Sequence, residues 1–298
     1  MKKKEGLRRR LRRFFLFHWL GRTLVFLSLP AFLLVVLFWP SNHHPPIVDV
    51  QMHYNREAWR HFNTRAVAGT LRELAIMQAV VSSTPNQGTF KLLDEAPQLV
   101  IPSFQPYRTR EDRDNWFENP EILALLEREL GNWNYRGIGE LHIRDGSIDG
   151  PVVKRLLELA VERDLVVNIH AFASTIKEIY KRQPRLKVLW AHAGMTATPD
   201  QVNEMLERFP DLRTELSHRL DVAPDGQLDP AWRALFLRHP SRFMVGSGTY
   251  NNEFWYQYRY RMGWFRDWLA QLPPELAERI AWRNALEFFS ITGVVRSS

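Results

Sequence analysis

The chain has 298 residues, of which 45% are hydrophobic and 24% charged, and it contains no cysteine. This composition is typical of a globular protein with a full hydrophobic core, and the lack of cysteine excludes disulfides, thiolate metal ligands and a cysteine nucleophile. Residues 1–40 hold nine of the 40 Lys and Arg residues and one of the 33 acidic residues, which leaves 31 basic and 32 acidic residues for the remainder. The net charge of +7 therefore belongs to the N-terminal segment. Because the body has no basic excess, we expect no nucleic-acid partner.

The N-terminal segment is basic and then apolar. The run from Thr23 to Trp39 is uncharged, and its 17 residues would span about 25 Å as a helix, the lower end of a membrane crossing. We predict that residues 1–40 form a cytoplasmic tail and one transmembrane helix (a signal anchor), that residues 41–46 form a linker, and that the body lies on the periplasmic or extracellular side. A cleaved signal peptide is the alternative. A partner in a membrane complex is a further hypothesis.

From residue 47 onward, β-rich runs alternate with helical patterns. The predicted strands are residues 47–54, 78–85, 99–107, 136–143, 165–172, 187–194, 212–219 and 243–250. The clearest predicted helices, each with a proline in its first turn, are residues 120–130, 151–163, 199–209 and 230–237. Alternating strands and helices predict an α/β fold, here a (β/α)₈ TIM-like barrel over residues 47–298. A doubly wound open sheet is the alternative, although no Gly-x-Gly-x-x-Gly follows the first strand.

Polar residues cluster near the C-terminal ends of the predicted strands, where barrel active sites are built. Four strands supply three imidazoles and a carboxylate there: His53, Glu140, His170 and His192. Imidazole and carboxylate are the ligands of catalytic zinc-type sites with an open coordination position. These four side chains are therefore the predicted metal ligands.

Neighbouring polar residues are predicted to support those ligands or to contact the substrate. Asp49 and Gln51 precede His53 at spacings of two, so the three side chains share one face of the first strand. His142 shares a face with Glu140 and is either a fourth imidazole or a supporting residue.

The ends of the last two strands carry further polar residues. Ser247 and Thr249 flank Gly248 on the eighth strand and are assigned to the same supporting or substrate-contacting group. His218, near the end of the seventh strand, is predicted to have a surface or loop role. Ser247 lacks the Gly-x-Ser-x-Gly context of a serine nucleophile, so a serine hydrolase is not favoured.

These segments resemble the amidohydrolase superfamily, in particular its amidohydrolase-related group of mononuclear metal hydrolases and decarboxylases. The resemblance spans residues 47–291 and rests on VDVQMH at 48–53, GIGE at 137–140, His170, AHAG at 191–194, VGSGT at 245–249 and RIAWRNA at 279–285. It implies a barrel and one divalent metal ion, zinc or manganese. The metal would acidify a water molecule and polarise a small-molecule substrate.

Two positions depart from the family pattern. The family's first strand carries His-x-His, whereas this chain has Gln51 before His53, and the family's eighth strand presents an Asp where this chain has Gly248. In the family that Asp binds the metal and takes the proton of the attacking water, so the catalytic base of this chain is unassigned. Replacing Gln51 with His and Gly248 with Asp is expected to strengthen metal binding. Three acidic residues near strand ends are candidate substitutes for the base: Glu215, Asp221 and Glu253.

Two functions follow from these observations. The first is a membrane-anchored enzyme that hydrolyses a small amide, ester or lactone at a remodelled mononuclear metal site. The second is a catalytically inactive barrel that acts as a binding or assembly module at the membrane. The retained imidazoles and Glu140 favour the first, and the changes at Gln51 and Gly248 favour the second.

Overall fold

The computed structural model describes residues 44–132 and 134–291. Within these residues, eight parallel strands form one sheet in chain order, and each strand pairs with the next. The strands are β1 (Ile47–His53), β2 (Ile76–Ser82), β3 (Val100–Phe104), β4 (Gly137–His142), β5 (Val166–His170), β6 (Lys187–Trp190), β7 (Arg213–Glu215) and β8 (Phe243–Met244).

A helix follows each of the strands, and additional helices end the chain. The helices that follow β1 to β4 are α1 (Thr64–Glu73), α2 (Gln87–Glu95), α3 (Pro120–Asn132) and α4 (Pro151–Glu162). The helices that follow β5 to β7 are α5 (Ala173–Arg182), α6 (Pro199–Arg208) and α7 (Pro230–Arg238). After β8 come α8 (Asn252–Tyr256), α9 (Tyr258–Leu269), α10 (Pro274–Glu278) and α11 (Asn284–Phe288).

The two edges of the sheet meet. The backbone N–H of Val50 donates to the carbonyl of Val245 at 2.9 Å, and the N–H of Gly248 donates to the carbonyl of Gln51 at 2.7 Å. These bonds join β1 to the segment that follows β8. The fold is a (β/α)₈ barrel, so the prediction of this fold is confirmed and the open-sheet alternative is excluded.

The helices pack on the strands through regularly spaced apolar residues. In α4, Val152, Val153, Leu156 and Leu157 recur at helical spacing and are all buried. Pro151 occupies its first turn, where the missing N–H costs no helical hydrogen bond. Each such buried side chain stabilises the fold by roughly 1.5–3 kcal/mol relative to an exposed one.

The last three strands end earlier than the sequence pattern predicts. β6 ends at Trp190 and β8 at Met244. Beyond them, His192 has φ 54° and Gly248 has φ 65°, left-handed conformations that do not continue a strand. His192 and Gly248 are therefore presented by the loops after β6 and β8, and their predicted strand positions are wrong.

The predicted membrane location is corrected by the helix lengths. The longest α-helix of the described residues has 13 residues, or about 20 Å, against a hydrocarbon core of about 30 Å. No helix in residues 44–132 and 134–291 is long and apolar enough to span a bilayer. This finding contradicts the predicted single-pass membrane location. The run from Thr23 to Trp39, on which that location depended, lies outside the described residues, and the division at residues 40 and 46 stays a prediction.

Candidate active site

A cavity of about 480 Å³ opens at the C-terminal ends of the strands. This is the position of active sites in barrel enzymes, and the volume suits a small molecule. Most of the predicted site residues line it together with one unexpected histidine: Gln51, His53, Glu140, His142, His170, His192, Gly248 and His218.

Glu140 reaches this cavity because β4 is irregular just before it. The register between β4 and β5 shifts between Ile138 and Leu141. Gly139 has φ 117°, and a Cβ at this position would collide with the carbonyl oxygen of Asn168. Only glycine permits this backbone. Irregularities of this kind re-aim the neighbouring side chain, here that of Glu140.

Three imidazoles contact the carboxylate of Glu140. Its Oε1 lies 2.8 Å from His170 Nδ1 and 3.0 Å from His192 Nε2, and its Oε2 lies 3.3 Å from His53 Nε2. Burial by itself raises the pKa of this carboxyl. The contacts with His170, His192 and His53 outweigh burial and hold the pKa of Glu140 well below its usual range. Glu140 is therefore a buried carboxylate anion, as a metal ligand must be.

His53 is held in place from several directions. Its Nδ1 lies 2.9 Å from Ser82 Oγ, its backbone N–H donates to Thr249 Oγ1 at 3.0 Å, and its carbonyl accepts from Trp255 at 3.0 Å. Its buried Nε2 is within ion-pair distance of Glu140 but lacks hydrogen-bond geometry and has no hydrogen-bond partner. An oriented imidazole nitrogen that faces a carboxylate without a partner fits a bound metal ion.

His192 lies between two buried carboxylates. Nε2 contacts Glu140, whereas Nδ1 lies 3.0 Å from Glu215 Oε1 and 2.7 Å from Ser217 Oγ. The backbone N–H of His192 also donates to Glu215 at 2.6 Å. Burial lowers the pKa of His192, but the two carboxylates outweigh it and raise the pKa to about 10. Without a metal, His192 is therefore an imidazolium at neutral pH.

A second donor group overlaps the predicted one. Ligand atoms of Glu140, His142 and His170 all lie within 4.8 Å of one another. The rings of His142 and His170 stack with centroids 4.6 Å apart. Burial lowers the pKa of His142 to about 4, so this imidazole is neutral and able to bind a metal. Of the two roles left open for His142, a place among the imidazoles at the cavity fits these contacts.

Three predicted supporting residues are buried and do not line the cavity. Asp49 accepts from the backbone N–H of Ser247 at 2.9 Å, from that of Gln51 at 3.1 Å, and from the Tyr258 hydroxyl at 3.2 Å. Thr249 bonds the backbone of His53, as described above. Asp49, Ser247 and Thr249 thus join β1 to the segment after β8.

Gln51 makes a side-chain contact with β5. Its side-chain oxygen accepts a hydrogen bond from the amide nitrogen of Asn168, and its own amide nitrogen is buried without a partner. The oxygen that Gln51 could offer to a metal therefore already accepts one hydrogen bond.

The three candidate acids are placed differently. Glu215 is fully buried and contacts His192. The carboxylate of Asp221 accepts from Arg219 at 2.7 Å and from the Trp232 indole at 3.0 Å. Glu253 is exposed and accepts from the Gln257 side chain at 3.3 Å. Only Glu215 of the three contacts a predicted metal ligand.

Several cavity residues were not predicted. His218 was assigned to a surface or loop; it does follow β7 in a loop, but its ring lines the cavity, so a surface role is wrong. Tyr107, Arg110 and Arg113 come from the loop after β3 and also line the cavity. Their position at the end of a predicted strand or shortly after it was the available signal, since barrel sites are built from such segments.

More than half of the chain matches one known protein family. Residues 112–291, which are 180 of the 298 residues, match the family described as Amidohydrolase. The chain belongs to the amidohydrolase family. No curated protein matches it significantly.

Solved structures of similar fold cover most of this amidohydrolase-family chain. A 2,6-dihydroxybenzoate decarboxylase complexed with 2,6-dihydroxybenzoate is 12% identical, with a TM-score of 0.55 over 83% of this chain and 99% of its own. A Pseudomonas putida protein assigned as a 2-pyrone-4,6-dicarboxylic acid hydrolase is 16% identical, with a TM-score of 0.54 over 82% and 97%. Amidohydrolase 2 from Bifidobacterium longum subsp. infantis is 12% identical, with a TM-score of 0.51 over 82% and 98%. At these identities the likeness shows the fold.

Proposed function

We propose that this protein is a metal-dependent enzyme that hydrolyses a small ester, lactone or amide that carries a carboxylate group. The observation that carries the proposal is the buried carboxylate of Glu140, in contact with three imidazoles at the cavity. Amidohydrolase-family proteins typically bind a metal, and carboxylate and imidazole are donors that suit zinc.

Glu140 and His170 are common to both donor groups of the cavity, so we assign the metal to these two residues together with the imidazoles of His53 and His142. The unpartnered Nε2 of His53 and the neutral ring of His142 support their place among the donors. A bound ion supplies a Lewis acid that acidifies water and polarises a substrate carbonyl.

The cavity wall supports the choice of an anionic substrate. Arg110 and Arg113 line it from the loop after β3, and guanidinium groups bind carboxylates with two parallel hydrogen bonds. The names of two of the similar structures contain a carboxylate-bearing compound, 2,6-dihydroxybenzoate in one and 2-pyrone-4,6-dicarboxylic acid in the other. We therefore expect a small molecule with at least one carboxylate.

We assign proton transfer to His192 rather than to the position of Gly248. Glycine has no side chain to move a proton, whereas His192 holds one between Glu140 and Glu215. Glu215 orients the imidazole and favours its charged form.

A catalytically inactive binding protein is the second candidate. It is favoured by two observations: no carboxylate stands at Gly248, and the side-chain oxygen of Gln51 is bonded to Asn168. Such a protein retains the cavity but has no turnover.

Metal stoichiometry of the full-length chain tests the proposal. After reconstitution with zinc or manganese, we expect about one ion per wild-type chain, and at least ~100-fold weaker binding in Glu140→Gln and His170→Ala. His61→Ala, which changes an exposed histidine, is the matched control and is expected to bind as the wild type does. A folded wild-type protein without metal affinity overturns the proposal. Metal binding without turnover of carboxylate-bearing esters and lactones favours the inactive binding protein.

A further inference from the structure

His218 occupies the space that a side chain at position 248 would need. A Cβ on Gly248 would overlap Nε2 of His218, and Gly248 has φ 65°. Both residues line the cavity. The loop after β7 therefore places the imidazole of His218 in the space that is free because residue 248 is glycine.

The ring of His218 is held by its neighbours. It contacts His192, Phe254 and Tyr250 with ring centroids 5.0, 4.7 and 5.8 Å apart, each pair edge to face. In this packing, Nε2 lies on the side of the ring that faces Gly248.

Arg261 determines which ring nitrogen carries the proton. Its Nη1 lies 3.5 Å from Nδ1 of His218, and its guanidinium is placed by the Phe254 ring, 4.1 Å away, and by the Ser247 carbonyl at 3.3 Å. A guanidinium donates hydrogen bonds and accepts none. Nδ1 of His218 is therefore the acceptor, and the proton of the neutral ring is on Nε2.

The Nε2–H group of His218 has no acceptor among the described residues of the protein. Nε2 is buried and without a hydrogen-bond partner, although its ring lines the cavity. An unpaired buried donor costs about 1–3 kcal/mol, so a ligand that supplies an acceptor at this point gains affinity.

We propose that Nε2–H of His218 donates a hydrogen bond to a carboxylate oxygen of the ligand, on the side of the cavity where the resemblance to the family led us to expect an aspartate. This inference rests on the proposed function, because its premise is that an anionic small molecule enters the same cavity. An aspartate would repel that anion, whereas an N–H donor attracts it. Arg261 is the positioning residue that keeps the proton on Nε2.

Nitrogen NMR of the full-length chain, labelled with ¹⁵N-histidine and kept metal-free with EDTA, tests the tautomer. The His218 signals are those absent from His218→Gln. We expect a neutral ring with its proton on Nε2 in the wild type, and a mixture of tautomers in Arg261→Met, which lacks the donor to Nδ1. A wild-type ring protonated on Nδ1 overturns the inference, as does an unchanged tautomer in Arg261→Met.

Benzoate, a simple carboxylate, tests the ligand. We expect His218→Ala to weaken benzoate binding about tenfold or more, His218→Gln to restore part of it through its amide N–H, and His61→Ala to have no effect. Equal affinities of wild type and His218→Ala, or no binding to the wild type, overturn the inference. Because both measurements are made without metal, their failure is distinguishable from a failure of metal binding, which overturns the proposed function.

Discussion

The two sides of the cavity differ in charge and in their relation to the family pattern. On one side, the carboxylate of Glu140, from β4, contacts His53, His170 and His192. On the side of β7 and β8, the neutral imidazole of His218 stands beside Gly248, where the resemblance to the family predicts an acid. The comparison teaches that the two positions depend on each other: the imidazole of His218, from the neighbouring loop, occupies the space that a side chain at position 248 would need.

The largest expected effect comes from placing an aspartate at position 248. Gly248→Asp is expected to lower the free energy of unfolding by about 2–4 kcal/mol. The aspartate would have to adopt the left-handed backbone conformation of Gly248, and its side chain would overlap His218. The sequence alone led to the expectation that an aspartate here would strengthen metal binding. The structure adds that it would also destabilise the fold. Urea denaturation of the full-length chain measures the loss.

The double variant His218→Gly, Gly248→Asp is the control for that overlap. Removal of the imidazole should restore part of the lost stability, while the backbone strain remains. If Gly248→Asp alone unfolds within ~0.5 kcal/mol of the wild type, the side chain has room and His218 does not occupy its space.

The next effect concerns His192 and the pH dependence of stability. The folded-state pKa of His192 is raised to about 10, above the ordinary value near 6.5, so its ionic contacts contribute fully below pH 6.5 and are lost as the pH rises through 10. In metal-free protein, the wild type should lose more than ~1 kcal/mol of unfolding free energy between pH 6.5 and 10 relative to His192→Gln. If the unfolding free energies of the two proteins change equally with pH, His192 is not held as an imidazolium.

The smallest effect concerns the bonds that join β1 to the segment after β8. Tyr258→Phe removes the hydroxyl that donates to Asp49 at 3.2 Å and should cost about 1 kcal/mol of unfolding free energy. Tyr256→Phe, at an exposed position, is the matched control and should be neutral. Because Asp49 does not line the cavity, Tyr258→Phe should leave benzoate affinity unchanged. A tenfold change in that affinity would place Asp49 in the ligand site.

Sequence reasoning predicted the fold well because its signals are local. Prolines in the first turns and apolar residues at helical spacing marked α3, α4, α6 and α7. The ends of β6 and β8 were missed, since the left-handed residues His192 and Gly248 carry no periodic signal. The apolar run before residue 40 led to a membrane location that the described residues contradict.

By itself, the sequence determined the order of strands and helices and the residue types that strand ends bring to one face of the barrel, because hydrophobic periodicity and chain order are encoded locally. Only the tertiary structure decided which of these residues meet. Glu140 is aimed at three imidazoles by the irregular backbone at Gly139, Gln51 is bonded to Asn168, and His218 fills the space beside Gly248. Such contacts join residues 30 to 117 positions apart in the chain, so they depend on how the barrel closes and not on any local pattern.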